Sequence, residues 1–253
     1  NEGKMKPYVV YSVITGAYDK LLPLDIAESD VDYILIVDNA FSGEVPPGWN
    51  LMKLPESSLS HKDLNRYIKM HPHLLFPQYE CSVYVDGNIQ VVSALKDVID
   101  NALASKDIAL YKHYKRDDVY SEASECLELG LDYFWRVIPQ MARYKANGFK
   151  GNALYEASVI FRRHHSCDLK RAMELWWKEY LGNARRDQLS LTFCLSTANV
   201  IVNNLGISDP RIEQKYFVKK THAVYRPDKL SVRLTAKLNK LLLAVLPQKK
   251  LVK

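Results

Sequence analysis

Residues 71–92 (HPHLLFPQYECSVYVDGNIQVV) constrain the fold of this chain more than any other stretch. An apolar run at residues 81–85 halts at Asp86-Gly87-Asn88, and a second apolar pair, Val91-Val92, follows shortly after. A strand ending in an Asp-x-Asn triplet carries hard oxygen donors at its tip, the donor type that divalent cations take beside phosphates. Gly87 lets the backbone bend closely around a ligand. The same triplet also suits a hairpin with Asp-Gly at its centre, so the rest of the chain has to decide between the two.

Residues 8–14 (YVVYSVI) and Val31–Val37 (VDYILIV) are β-branched and aromatic runs that end at Thr15-Gly16 and Asp38-Asn39, as strands do. A short third strand at 51–54 follows the Pro46-Pro47-Gly48 loop. Ser58 or Ser60 suits the cap of a helix over 62–70, where Leu64, Tyr67 and Ile68 share a face. After the strand into Asp86, the pattern predicts a helix over 93–104 and a strand over 108–111. Helical patterns cover 120–146 and 168–181, the second ending at Gly182, and apolar runs cover 157–161, 189–197 and 198–205. Strands alternating with helices predict an α/β fold with a mostly parallel sheet flanked by helices, the second half richer in helix. In such a sheet ligands bind at the carboxyl ends of strands. Three of these ends are polar and turn-prone, which predicts a nucleotide pocket: Tyr18 suits stacking on a base, and Gly16 a close backbone approach.

At 253 residues, 47% of them hydrophobic, the chain can build a sizeable core, and no apolar run reaches the ~18 residues a bilayer-spanning helix needs. The N-terminal segment moves straight into a strand pattern and is not expected to be a secretory leader. Cys81, Cys126, Cys167 and Cys194 lie far apart without metal-site spacing and read as free thiols of a reducing compartment. The net charge of +6 is uneven: residues 226–253 hold eight basic side chains and one acid, a balance of +7, and the remaining 225 residues balance at −1. A neutral body argues against nucleic acid as a partner. The simplest organisation is one domain over 1–225 with a basic, amphipathic C-terminal helix or tail over 226–253.

Five blocks occur in order over roughly residues 8–200: VVYSVITGAYDKLLP, DVDYILIVDN, HPHLLFPQYECSVYVDGNIQ, VIFRRHH and MELWWKEYLGNARRDQLSL. In them the chain resembles a glycosyltransferase-like family, a domain of unknown function shared by bacterial polysaccharide-locus proteins and plant mucilage and cell-wall glycosyltransferases. That family is similar in turn to GT-A glycosyltransferases of the glycogenin type. The resemblance implies a GT-A-like (Rossmann-like) fold and a nucleoside-diphosphate sugar donor, UDP-hexose or UDP-uronic acid. It further implies a polysaccharide or lipid-linked glycan acceptor, retention of configuration, and a bound Mn2+ or Mg2+.

Residue by residue, Asp86 and Asn88 stand where the family's metal-binding Asp-x-Asp lies. Asn88 is a neutral ligand where a second carboxylate is usual, which weakens the attraction for a cation; His222 is the candidate third metal ligand by position. Asp187, Gln188 and Arg186 take the catalytic positions. In glycogenin-type enzymes an Asp-Gln pair lines the donor sugar, where a carboxylate stabilises an oxocarbenium-like transition state and an arginine neutralises departing diphosphate. The donor site is expected to use Thr15, Gly16, Tyr18, Asp19, Asp38, Arg66, Lys69, His73, Asp86, Gly87 and Arg163, with arginine offering a bidentate fork and lysine a point charge. His164 and Trp177 are the expected acceptor contacts. Structural alternatives stand beside these roles: a solvated helix face for Arg66 and Lys69, a helix cap for Asp187, a surface site for His222. One of Trp176 and Trp177 belongs in the core, because neighbours on a helix point about 100° apart.

Two other readings compete with a transferase. One is a non-catalytic carbohydrate- or nucleotide-sugar-binding module, which Asn88 favours. The other is a ceramide-type lipid hydrolase, an activity attributed to a plant relative; the chain holds neither a GxSxG elbow nor an HExxH helix to support it. In the tail, Leu230, Leu234, Leu238, Leu241, Leu242 and Val245 form an apolar stripe beside Lys229, Arg233, Lys237 and Lys240, with Ser231, Thr235 and Asn239 on the far side. Such a helix suits an anionic membrane surface, and would put a cytoplasmic enzyme on the inner face of its membrane. It suits equally a contact with the protein body or a second copy.

Overall fold

The computed structural model describes residues 6–16, 21–24, 26, 28–221 and 229–245. Tyr18, Asp19 and His222 of the expected site, and tail residues 226–228 and 246–253, lie outside the described residues. Strands β1 (Lys6–Ile14), β2 (Val31–Val37) and β3 (Asn50–Lys53) lead into helix α1 (His61–Met70) and a single turn, α2 (Pro72–Leu75). Then come β4 (Tyr79–Val85), β5 (Ile89–Val91), α3 (Lys96–Ala102), β6 (Ile108–Lys112), α4 (Val119–Glu128) and α5 (Phe134–Ala146). The remainder is β7 (Tyr155–Arg162), α6 (Cys167–Gly182), α7 (Asp187–Thr197), β8 (Val202–Asn204), a π-helical turn at Asp209–Glu213, β9 (Phe217–Lys219) and α8 (Lys229–Val245).

Seven strands form one sheet in the order β3-β2-β1-β4-β7-β6-β8, and β5 pairs with β9 in a separate ribbon. Pairs β1–β2, β1–β4, β2–β3 and β6–β8 are parallel. Strand β7 runs antiparallel to both of its neighbours. This is the expected class, a mostly parallel sheet flanked by helices. Side chains alternate across the pleat: Val9, Tyr11 and Val13 enter one core layer, Val10 and Ile14 the other. The parallel strands bring the ends of β1, β2 and β4 to one edge. The reversed β7 brings its first residues to that edge too, where the Asp86 amide donates to the Ser158 carbonyl at 2.9 Å.

Several element boundaries are set by tertiary contacts rather than by local pattern. Ser60, not Ser58, caps α1, its hydroxyl accepting from the Asp63 amide at 3.1 Å. Helix α3 is shorter than the predicted 93–104, because the carboxylate of Glu28 accepts from the amides of Leu95 and Lys96 at 2.6 and 3.0 Å and fixes its start. Helix α6 runs through Gly182 and is capped by Asn183. The expected helix over 120–146 is two helices, α4 and α5, broken around Gly130. Gly130 has φ +68°, and a Cβ there would stand 2.2 Å from the Val232 carbonyl of α8. Only glycine lets the two backbones meet so closely.

Helix α8 packs on α4 and α5. Asn239, placed on the far side by the sequence pattern, is fully buried. Its amide nitrogen donates to the Leu127 and Asp132 carbonyls at 3.1 and 2.9 Å, and its oxygen accepts from the Phe134 amide at 2.9 Å. The Asp132 carbonyl and the Phe134 amide are orphan groups at the start of α5, where a helix terminus needs partners, and the Leu127 carbonyl at the end of α4 accepts a second bond beside the one from the Gly130 amide at 3.1 Å. Leu230, Leu234, Leu238, Leu241 and Val245 of the stripe are thereby turned outward, and Leu242 stays half-buried.

Candidate active site

A polar cleft of about 170 Å³ opens at the carboxyl edge of β4. Arg66 and Lys69 reach it from the last turns of α1, Asp86 from the end of β4, and Arg186, Asp187 and Gln188 from the start of α7. Six of the expected residues, separated by up to 122 positions (188 − 66), thus meet in one place.

Asp187 is the hub. Its carboxylate accepts from the Lys69 ammonium at 2.7 Å and lies 3.2 Å from Arg66 Nε. Burial by itself raises the Asp187 pKa, but the charges of Arg66 and Lys69 prevail and hold the carboxyl well below the usual carboxylate range. Lys69 is only 2% exposed and also lies 3.8 Å from Asp86. The backbone around this pair is fixed from behind. Trp176, fully buried, donates to the Asp187 carbonyl at 2.7 Å. Arg162, also fully buried, donates to the Lys69 carbonyl at 2.9 Å and to the Tyr11 hydroxyl at 2.6 Å. Gln188 donates to the Tyr155 carbonyl at 3.0 Å, tying α7 to the start of β7.

Four groups in the cleft were not foreseen from the sequence: Glu156 at the start of β7, Arg211 from the π-helical turn, Lys219 at the end of β9, and His113. Glu156 pairs with Arg211 at 2.8 Å and accepts from the Ser208 hydroxyl at 2.7 Å. Burial lowers the Lys219 pKa against the pull of Asp86, and burial likewise keeps His113 below its ordinary value. A carboxylate inside the apolar run YEASVIFR was the one available signal for Glu156. Arg211 and Lys219 carry no local signal.

The other expected residues are placed elsewhere. Thr15, Gly16 and Asp38 do gather at the same sheet edge, but in a turn cluster of their own. The Thr15 hydroxyl donates to the His61 carbonyl at 2.7 Å, and Asp38 accepts from the Gly16 amide at 2.8 Å and pairs with the His61 ring at 2.6 Å. Gly16 has φ +63°, and a Cβ would press 2.8 Å from the His61 ring. His73 pairs with Glu174 of α6 at 3.0 Å, away from the cleft. Arg163 donates to the Leu103 carbonyl at 3.0 Å, and buried His164 sets its Nε2 3.0 Å from the Phe76 carbonyl. Both leave the acceptor and donor roles expected of them because β7 is antiparallel, so its last residues emerge at the opposite edge. Trp177 packs on Tyr67, His71 and Tyr180 and does not line the cleft.

The described residues do not fit a divalent cation at Asp86. That carboxylate accepts from the Tyr84 hydroxyl at 2.8 Å and has the Lys69 ammonium 3.8 Å away. Asn88 is only 3% exposed, and its amide donates to the Lys220 carbonyl at 2.9 Å, tying the Asp86 turn to β9. Gly87 completes that turn, in which the Ile89 amide donates to the Asp86 carbonyl at 2.9 Å. Among the described residues no three His, Cys, Asp or Glu side chains converge on a point. A hard cation asks for about six oxygens; here the Lys69 ammonium stands between the Asp86 and Asp187 carboxylates, and Glu156 is taken by Arg211.

A family model described as "TOD1/MUCI70, glycosyltransferase-like domain" matches residues 48–222, which is 175 of the 253 residues (222 − 48 + 1). The match includes the whole cleft and leaves out the β1 and β2 blocks. No curated protein matches the chain. Among the solved structures to which the chain is similar is mouse xyloside xylosyltransferase 1 in its apo form, at 10% identity over 79% of this chain and 85% of that one with a TM-score of 0.49. Another is WbbM, a bifunctional glycosyltransferase, at 13% identity over 81% of this chain and 40% of that one with a TM-score of 0.48.

Proposed function

The chain belongs to the TOD1/MUCI70 glycosyltransferase-like family, and from that premise we propose that it transfers a sugar from a nucleoside-diphosphate donor, a UDP-hexose or UDP-uronic acid, to a polysaccharide or lipid-linked glycan with retention of configuration. The observation that carries this is an ionised Asp187 set among the cations of one cleft. Cations suit the departing diphosphate, and the carboxylate suits the positive charge that develops at the anomeric carbon.

Retention is supported by how the carboxylates are occupied. Inversion needs a base to take the acceptor proton. Asp187 is held by Lys69 and Arg66, Glu156 by Arg211, and Asp86 accepts from Tyr84. A carboxylate held by cations is a weak base. On the retaining route the anomeric carbon–phosphate oxygen bond breaks, and the acceptor oxygen bonds to the same face. The acceptor proton passes to the departing phosphate oxygen, so no protein base is required. Incubation with a panel of nucleotide sugars, with product configuration read by NMR, tests this. One UDP-sugar is expected to be consumed and its configuration kept. If no donor is turned over, the transferase reading fails; binding without turnover would mark a nucleotide-sugar-binding module, and an inverted product would sink retention alone.

The outward face of α8 supports an anionic membrane as the surface on which a lipid-linked acceptor is met. Among the described residues no helix is long and apolar enough to cross a membrane. Leu234, Leu241 and Val245 are 57%, 60% and 69% exposed. Leu234 and Leu238 line a groove of about 340 Å³ with Tyr133, whose ring stacks on exposed Trp135 at 4.6 Å. Lys229, Arg233, Lys237 and Lys240 flank the stripe, and α8 holds no acid. Each cation near an anionic surface adds about 1 kcal/mol of attraction. In liposome flotation at low salt, the protein is expected to rise with acidic vesicles and to stay down with neutral ones. Leu234→Glu with Leu241→Glu should abolish the effect. Equal flotation of wild type and variant would exclude α8 as the contact.

A further inference from the structure

We propose that the cleft holds the donor diphosphate with lysine and arginine side chains in place of a divalent metal, Lys219 being the central contact. This rests on the transferase reading and deepens it. Five cations (Arg66, Lys69, Arg186, Arg211 and Lys219) and three carboxylates line the cleft, an excess of two positive charges (5 − 3) for a dianionic diphosphate bridge. The sheet register puts Lys219 there: β9 runs antiparallel to β5 with Lys219 opposite Ile89, three positions after Asp86. The Lys220 amide donates to the Asn88 carbonyl at 2.8 Å, and the Asn88 amide returns the bond to the Lys220 carbonyl at 2.9 Å. Asn88 therefore serves as the clip that fixes Lys219 beside the Asp86 turn. An asparagine in the second triplet position and a lysine in the cleft are two parts of one arrangement.

Lys69 is already committed to Asp187, and Arg211 to Glu156. Lys219 has no carboxylate within ion-pair distance among the described residues, which leaves its ammonium for the ligand. A point charge suits phosphate oxygens as a metal does, without requiring their octahedral arrangement.

Titration calorimetry of the full chain with UDP and with inorganic pyrophosphate, in excess EDTA and again in Mn2+, tests this. Both ligands are expected to bind in EDTA, with Kd values within about threefold of those in Mn2+. Lys219→Gln should weaken binding by tenfold or more, and Lys219→Arg should restore most of it, with melting curves confirming that both variants fold. Binding that appears only with Mn2+ overturns the inference while leaving the transferase reading intact, as does a Lys219→Gln variant that binds like wild type. Metal-free diphosphate binding without turnover of any nucleotide sugar fails the transferase reading and keeps the anion site. Absence of binding in both buffers overturns both.

Discussion

Asp187→Asn is expected to lower kcat by about a thousandfold while the donor KM moves by less than about tenfold, because the lost charge faces the transition state rather than the ground state. The same change leaves Lys69, 2% exposed, facing a neutral amide in place of the carboxylate at 2.7 Å, so its charge is no longer compensated there. An uncompensated buried ammonium costs about 3–5 kcal/mol, and the nearby Asp86 carboxylate at 3.8 Å should keep the loss at the lower end. The pH dependence has a definite sign. The folded-state pKa of Asp187 is depressed, so its stabilising contribution is present above the unfolded value of about 3.9 and is lost as the pH falls through the folded value. No loss of activity between pH 8 and pH 5 should therefore trace to this group. The double variant Lys69→Met with Asp187→Asn separates the two roles: it should regain much of the melting temperature and none of the turnover. If Asp187→Asn kept kcat within about fivefold of wild type below its melting point, Asp187 would be a structural counter-ion only.

Asn239→Ala is expected to release α8 from the body. The change removes three hydrogen bonds and leaves the Leu127 and Asp132 carbonyls and the Phe134 amide without that partner. The Leu127 carbonyl keeps its bond from the Gly130 amide, so two groups are stranded, and at about 1 kcal/mol or more each the loss is on the order of 2 kcal/mol. Asn239 is the only buried residue of the helix, which otherwise rests on half-buried Leu243 against the core and on the close approach of Val232 and Ala236 to Gly130. Hydrogen exchange should show residues 229–245 losing protection while β1 and β4 keep theirs. Gly130→Ala should act the same way, because its Cβ would stand 2.2 Å from the Val232 carbonyl. Unchanged protection of α8 in both variants would mean that its apolar contacts suffice to hold it.

The strand ends show what is legible from a sequence. The runs at 31–37 and 79–85 are strands because β-branched and aromatic residues stop abruptly at Asp38 and at Asp86, and local chemistry is enough to see it. The same holds for α1, whose Ser60 cap and apolar face are written within ten residues of one another. Asp86 stands out as the polar end of an apolar strand, and Arg66 and Lys69 as cations on the helix that leads into it, whereas Asp187 is nominated by the family resemblance. Their meeting point, however, follows from sheet order.

What the sequence determined by itself is the leading strands β1, β2 and β4 with helix α1, the mostly parallel class and the edge at which polar strand ends collect, since these depend on side-chain periodicity and on turn chemistry within a few residues. The tertiary structure alone decided the rest. The direction of β7 sent Glu156 into the cleft and Arg163 and His164 to the far edge, and an apolar run reads the same in either direction. The pairing of β9 with β5 brought Lys219 beside Asp86, a contact across more than a hundred residues that no local pattern encodes. The side on which α8 packs was decided by one buried asparagine matched to backbone polar groups at two helix ends. An apolar stripe specifies that a helix has a face, and only the surface it meets determines whether that face turns in or out.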